Sequence, residues 1–409
     1  MTSNASESEN VVPYRTLLWL ALGTFAIGTE GFMIAPLLLE ITKDLHVSVA
    51  DAGQLVTVFA LTYAISSPVL AATLGGVNRR KLLIASLVVF TVGNLLAWAA
   101  TSYSTLLIAR VLLALSAGLY VPSANAVASA LVAPARRGTA LAIVNGGLTV
   151  AITLGVPVGA LIGDAAGWRY TFVGVAVLSV LATVGLLLGL SRDFGRGIPT
   201  ATLAERLAVA RHRPVLLALA TTTLWAAGTN SVYTYFSVYF SGTTGASNLA
   251  LSAAMFLYGL AGAAGMYIGG KTTDKHSPSH AHLPSLLGMT ATFLCMAIVA
   301  WAIPAPASLI PVFALVIAWG ISAWAFHPAQ QARLIELTGI GVAPVVLSLN
   351  ASFLYLGFSI GAAAGSGLAS PASAGKIGLL GAAFEVAAIA LLLVRKAHPH
   401  RTRHVREHG

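Results

Sequence analysis

Charge is what this sequence has least of. Lys, Arg, Asp and Glu make up 9% of its 409 residues, against about 25% in soluble domains. Hydrophobic residues account for 57%, and the mean hydropathy is +0.84. That balance excludes a soluble globule and places the chain in lipid. Acidic residues number 13 against 23 basic ones. A single cysteine, Cys295, lies in an apolar run; it excludes an internal disulfide and reads as inert packing. No CxxC pair, HExxH helix or persuasive catalytic triad occurs, and the connections between apolar runs are too short for a soluble catalytic domain. No enzyme, metal site or cofactor is therefore expected. The first fifteen residues are polar and acidic, unlike a signal peptide, so the first apolar run itself would act as an uncleaved targeting helix.

A helix needs about 20 apolar residues to cross the hydrocarbon core. Twelve such runs are present, centred near Ala26, Leu61, Thr91, Leu115, Ile152, Leu178, Trp225, Leu257, Leu294, Val316, Phe353 and Ala387. The stretch from Ser308 to Leu337 is longer than one span requires. The fold class is thus an all-α membrane protein. A net charge of +10 raises the question of nucleic acid, but the distribution answers it. With twelve spans, alternate connections and the two termini hold 19 of the 23 Lys and Arg, while Lys43, Arg169 and Lys376 fall on the other side and Arg110 within a run. This is the positive-inside bias. Both termini are expected in the cytoplasm, with the basic clusters facing anionic lipid rather than nucleic acid.

Glycine and proline show how the runs are organised. Gly147, Gly155, Gly159 and Gly163, with Pro157 among them, line a run that has no charge from Thr139 to Gly163. Missing side chains at this spacing let a second helix approach closely, as helices buried in lipid require. The pattern echoes 206 residues later as Gly361 and Gly365, and Pro122 echoes as Pro328. A repeat at half the chain length points to two related six-span halves, residues 15–190 and 215–395. Between them lies the linker, 191–214, in which Leu203–Val209 is expected as a short amphipathic surface helix. A tail of residues 1–14 precedes the halves, and a basic tail of residues 396–409 follows them. In that last tail His400, His404 and His408 recur every fourth position, but interleaved Arg and the preceding Pro399 favour a disordered basic segment over a metal site.

The segment from Gly265 to Thr272 satisfies the phosphate-loop pattern GxxxxGK[ST]. That loop needs a strand before it and a helix after it; here an apolar helical run precedes and a polar loop follows, so nucleotide binding is rejected. The better reading is architectural: Gly270-Lys-Thr-Thr-Asp274-Lys275 mirrors Gly75-Gly76-Val77-Asn78-Arg79-Arg80-Lys81 between the second and third runs. These two loops, the Gly/Pro fifth run and the Gly-Trp168-Arg169-Tyr-Thr-Phe172 start of the sixth resemble the major facilitator superfamily over residues 15–395. Within it the chain resembles the bacterial 12-helix drug:proton antiporters, near the sugar-efflux and chloramphenicol-efflux permeases. The first loop motif of that family carries an acid that helps latch the halves; here Asn78 stands in its place, which exchanges a charge-assisted bond for a neutral one of roughly half the strength. Arg79 and Arg80 are then left to latch through backbone carbonyls, and Asp274 keeps the acid of the second loop.

Arg110, inside the fourth run, is costly unless it faces a partner or water. Snorkelling to the outer surface is one reading; the resemblance implies the other, a role in proton coupling. Glu30 is the one charge between Leu17 and Leu39, and a carboxyl whose proton affinity is raised by burial and lowered by a nearby Arg makes a proton switch. The resembled permeases place the acid directly before a Phe, whereas here Gly31 intervenes before Phe32, a rotation of about 100° on the helix. Glu385 in the twelfth run and His327 in the tenth are titratable, with structural hydrogen bonding as the alternative for each.

The resemblance further implies a cavity formed by spans one, four, seven and ten. Candidate lining residues are Tyr120, Asn145, Trp225, Asn230, Tyr233, Tyr235, Phe236, Trp324, His327 and Asn350, with aromatic faces for flat ligands and amides for orientation. Tyr239 and Phe240 suit an interfacial aromatic belt instead. The expected protein is a monomeric proton-coupled exporter in the bacterial cytoplasmic membrane, with a small-molecule substrate, protons and membrane lipids as its partners and no nucleic acid. A permease for sugars or metabolites and a membrane receptor without transport remain alternatives.

Overall fold

The computed structural model describes residues 14–191, 194, 202–368, 370 and 373–397. Twelve helices are long and apolar enough to cross a membrane, and no strand occurs among the described residues. In the first half these are span 1 (Tyr14–Leu45), span 2 (Val49–Thr73), span 3 (Arg79–Trp98), span 4 (Tyr103–Ala130), span 5 (Pro134–Ala166) and span 6 (Trp168–Gly189). In the second they are span 7 (Arg213–Thr234), span 8 (Asn248–Lys275), span 9 (Ser279–Ala302), span 10 (Leu309–Thr338), span 11 (Ile340–Ser366) and span 12 (Ala374–Leu393). The long tenth run is one helix, and span 7 continues past Tyr235 as the helix Phe236–Thr244. Residues 1–13, residues 192, 193 and 195–201 of the linker, and the tail with His400, His404 and His408 lie outside the described residues. We term the end of the bundle that carries the linker the linker face, and its opposite the far face.

Local chemistry sets the helix starts. Ser48 and Asp51 form a capping box on span 2, and Ser102 and Ser247 cap spans 4 and 8, each meeting an N–H that the first turn leaves without a partner. Gly167, at φ 100°, makes the turn between spans 5 and 6, where a side chain would be strained. That turn aims the next two residues at the ends of spans 1 and 3. Trp168 Nε1 donates to Asp44 at 3.2 Å, Arg169 pairs with Asp44, and Arg169 donates twice to the Ala100 carbonyl, at 3.0 and 2.8 Å. The Gly-Trp-Arg motif is therefore a strut at the far face. Outward-facing apolar residues such as Val88, Val92 and Leu95 of span 3 form the lipid surface, and Cys295 is among the exposed residues rather than packed inside.

The glycine seams lie inside the halves. Gly147, Gly155, Gly159 and Gly163 of span 5 stand over Ala21, Thr29, Met33 and Leu37 of span 1 in constant register. Gly357, Gly361 and Gly365 of span 11 stand over Thr223, Ala227 and Ser231 of span 7 in the same manner. The echo is thus a repeated intra-half contact that fixes each six-span unit. The halves meet instead where span 5 crosses span 8 and span 2 lies along span 11. At the first crossing Gly259 approaches the backbone of Thr153, within a π-helical turn, Ala151–Gly155. Pro157 explains that turn: it has no N–H to continue the α ladder, and the Val156 N–H reaches back five residues to Ala151.

Hydrogen bonds between the halves gather toward the far face. Ser237 Oγ donates to the Ala35 carbonyl at 2.8 Å, the Tyr233 hydroxyl to the Phe32 carbonyl at 3.4 Å, and Asn248 Nδ2 to Asp164 at 2.6 Å. Asn145, toward the linker-face end of span 5, is exposed. The inter-half hydrogen bonds among the described residues thus hold the far face closed.

The loop motifs that can be followed among the described residues bond within their own half in this arrangement. Asn78 caps span 3, accepting from the Lys81 N–H at 3.2 Å. Arg80 does bind backbone carbonyls, those of Leu187 and Leu190 at 3.0 and 2.9 Å, but they belong to span 6 of its own half. Arg79 is buried, Gly75 sits in the turn, Gly270 has open space around it, and Asp274 is exposed without a partner among the described residues. Span 8 runs unbroken from Gly265 through Thr272, which removes any phosphate loop. The linker helix, Leu203–Ala210, is capped by Thr202 and Glu205; Arg206 is buried and donates to Ser348 of span 11, so the helix docks on the second half.

Candidate transport site

Span 1 carries Glu30 and span 4 carries Arg110 to the same depth in the bundle, and both side chains are fully buried. They form an ion pair. The displaced register of Glu30 is compatible with this meeting, and Arg110 does not snorkel. Arg110 Nε also donates to the Leu55 carbonyl of span 2 at 3.1 Å, and its guanidinium lies 4.2 Å from the centroid of the Phe59 ring. One carboxylate oxygen, Glu30 Oε2, and one guanidinium nitrogen, Arg110 Nη2, have no partner. The pair is therefore closed on one edge only, and each member keeps an unmet atom that a proton or a moving group could satisfy.

Beside the pair, on the seam between the halves, lies a narrow pocket of about 20 Å³, room for roughly one water. Phe32, Phe59, Asn230, Tyr233, Tyr355 and Phe358 are among its walls. Asn230 Nδ2 is spent on the Phe358 carbonyl at 2.8 Å. Of the residues expected on the cavity, Asn230 and Tyr233 line this pocket. Trp225, Trp324 and His327 form a second group in the other half: Trp225 stacks on Phe326 at 4.8 Å and on His327 at 6.4 Å, and Trp324 meets His327 edge-on at 6.2 Å. His327 Nε2 lies 3.2 Å from Gln331 Nε2.

The remaining candidates are placed elsewhere. The Tyr120 hydroxyl donates to the Leu20 carbonyl at 3.0 Å and braces span 4 against span 1. The Tyr235 hydroxyl is held by the Ala362 carbonyl at 2.7 Å, and Phe236 is buried against Trp319 and Phe240. Asn350 accepts from Thr222 at 2.7 Å, and Gln330 donates to the same Thr222 at 2.8 Å, a satisfied polar knot inside the second half. Asn145 is exposed toward the linker-face end of span 5, where it accepts from Asn125 at 3.4 Å. Tyr239 and Phe240 are buried, Tyr239 bonded to the Met296 carbonyl at 2.9 Å, so they form no interfacial belt. Glu385 is fully buried and neither of its oxygens has a partner.

Sequence reasoning missed Phe59 and Tyr63 on span 2 and Tyr355 and Phe358 on span 11. Their spacings of four and three put each pair on one helix face, which is a signal. An expectation built on spans 1, 4, 7 and 10 left those helices out.

Comparison with known proteins accords with this architecture. The family model of the Major Facilitator Superfamily matches residues 20–362. The uncharacterized MFS-type transporter YbcL of Bacillus subtilis is 32% identical over 385 residues, covering 93% of this chain and 95% of that protein. The inner membrane transport protein YdhP of Escherichia coli K12 is 32% identical, covering 92% and 94%. A chloramphenicol resistance protein of Streptomyces lividans is 31% identical, covering 94% and 96%. Among solved structures, a bacterial homologue of the human lysosomal transporter Spinster superposes with a TM-score of 0.72 at 18% identity, covering 95% of this chain and 96% of that one. Twelve spans, a doubled glycine seam and relatives matched almost end to end make this chain a member of the Major Facilitator Superfamily, a multi-pass membrane transporter and not an enzyme.

Proposed function

We propose that the protein exports a small hydrophobic or aromatic molecule across the bacterial cytoplasmic membrane in exchange for protons, with its termini in the cytoplasm. The observation that carries this reading is the buried Glu30–Arg110 ion pair, set beside the seam where the two halves meet. Both charges are costly in lipid, and apolar residues could hold the same helices together without that cost. The basic residues favour the linker face as the cytoplasmic side, and the hydrogen bonds between the halves close the far face. In that arrangement a proton delivered from outside has left Glu30, and the carboxylate is neutralised by Arg110. When the far face opens, a proton from outside would take the place of Arg110 on Glu30. Trp324 and His327, half-buried beside the buried Trp225–Phe326 stack, offer ring surface to a substrate that would enter from the cytoplasm. The chloramphenicol resistance protein among the relatives supports a drug-like substrate. A second reading, export of sugars or metabolites, draws on the Asn125–Asn145 pair toward the linker face.

The test is proton movement in proteoliposomes carrying an internal pH dye, with chloramphenicol, a panel of aromatic drugs and a panel of sugars. Substrate-dependent proton flux is expected with the aromatic compounds and absent from Glu30→Gln, which should still purify as a folded protein. Flux driven only by sugars would favour the second reading. Binding without proton movement, or unimpaired coupled flux in Glu30→Gln, would overturn the assignment.

A further inference from the structure

Behind the ion pair, an unbroken run of aromatic contacts leads out of the first half and into the second. The Arg110 guanidinium lies over one face of Phe59 at 4.2 Å. The Phe59 ring is 6.5 Å from that of Tyr355, on span 11 of the other half. Tyr355 is stacked on Tyr63 of span 2, with centroids 3.7 Å apart and planes 17° from parallel. Phe59 and Tyr63 are one turn apart on the same face of span 2, so Tyr355 is held by both. Beyond it Tyr355 meets Phe358 at 5.4 Å, Phe358 meets Phe32 at 5.9 Å, and Phe32 meets Tyr233 at 5.6 Å. These rings close the seam to a single-water pocket between the two faces of the bundle.

We propose that Phe59 is a positioning residue for coupling: it carries the ionisation state of the Glu30–Arg110 pair to the inter-half stack of Tyr63 on Tyr355, which must part before the far face opens. The inference rests on the role given above to Glu30. Its physical basis is the shared guanidinium. An ionised Glu30 holds Arg110 on one side while the Phe59 face holds it from another. A proton on Glu30 removes the first attraction, so the cation shifts relative to the ring on which it rests. Phe59 is wedged against Tyr355, and its displacement is felt in the stack. The titratable and charged groups facing the pair from the packed helices are Tyr63 of span 2 and Tyr355 of span 11, with Tyr233 of span 7 across the pocket. Among the described residues no second carboxylate stands beside it.

The experiment reads far-face opening directly. Thr101→Cys in the first half and Ala307→Cys in the second, both exposed at the far face, carry spin labels in a Cys295→Ser background, and their distance distribution is measured across pH in lipid nanodiscs. The unaltered site is expected to show a pH-dependent open population, and Glu30→Gln to abolish the dependence. Phe59→Leu should diminish the pH-driven change in the open-to-closed ratio by at least about fivefold, while Phe59→Trp, which keeps a π face, retains it. A full pH response in Phe59→Leu together with loss in Glu30→Gln overturns the role of Phe59 and leaves that of Glu30 standing. A full response in Glu30→Gln, or none in the parent, overturns both. Loss in Phe59→Trp as well as in Phe59→Leu marks a packing defect and also overturns the assignment.

Discussion

Glu385 is the most isolated ionisable side chain of the bundle. It is fully buried on span 12, its carboxylate oxygens have no partner, and one of them occupies the space that a side chain at Gly228 of span 7 would need. Gly228→Ala is therefore expected to destabilise the protein by about 1–3 kcal/mol, the usual cost of overpacking. Adding Glu385→Ala should recover part of that loss, because it removes one of the two obstructions; the Gly381 carbonyl is the other. Thermal unfolding of the single and double variants in detergent measures the coupling, and strict additivity would show that the two residues do not meet. Charged residues such as Glu385, Glu30 and Arg110 were legible in the sequence because any charge stands out in an apolar run. What they touch was not legible: Glu30 finds Arg110 eighty residues away, and Glu385 finds no one. The aromatic residues of spans 2 and 11 were harder still to see, since Phe59 and Tyr355 at the seam have the same composition signal as rings that face lipid.

Elements show the reverse balance. The twelve spans, the long tenth helix, the linker helix and the doubled glycine pattern could all be read from hydrophobic runs and spacing, because length and period are properties of a segment alone. Which helix each glycine row faces is a property of two segments, and the sequence does not name it; the partners, span 1 for span 5 and span 7 for span 11, lie within each half. That placement makes a sharp prediction. Gly361 of span 11 lies against the Ala227 carbonyl and the Ser231 N–H region of span 7, whereas Gly270 at the end of span 8 has nothing within 4 Å. Gly361→Val should force the two backbones apart and lower the yield and melting temperature of purified protein, by an amount corresponding to about 1–3 kcal/mol or more. Gly270→Ala should leave both unchanged. Equal behaviour of the two variants would mean that the seam is not a tight intra-half contact.

At the scale of the whole molecule, the halves pack along spans 2 and 11 and where spans 5 and 8 cross, and the hydrogen bonds between them lie toward the far face. The Asn248–Asp164 hydrogen bond, at 2.6 Å, joins span 8 of one half to span 5 of the other at their far-face ends. It lies well away from the Glu30–Arg110 pair, so altering it does not touch the proposed chemistry. In a Cys295→Ser background, Asp164→Cys with Asn248→Cys should be bridged by a short, reducible bifunctional thiol reagent. The single native thiol is on the exposed surface of span 9, and its removal should cost little. If the halves rock about the seam, the bridge holds the far face shut: substrate binding from the linker face should persist while net transport stops, and a reductant should restore it. If transport continues through the bridged protein, the far-face ends of spans 5 and 8 need not separate. The pathway would then open elsewhere along the seam, with the aromatic layer around Tyr355 as the remaining barrier.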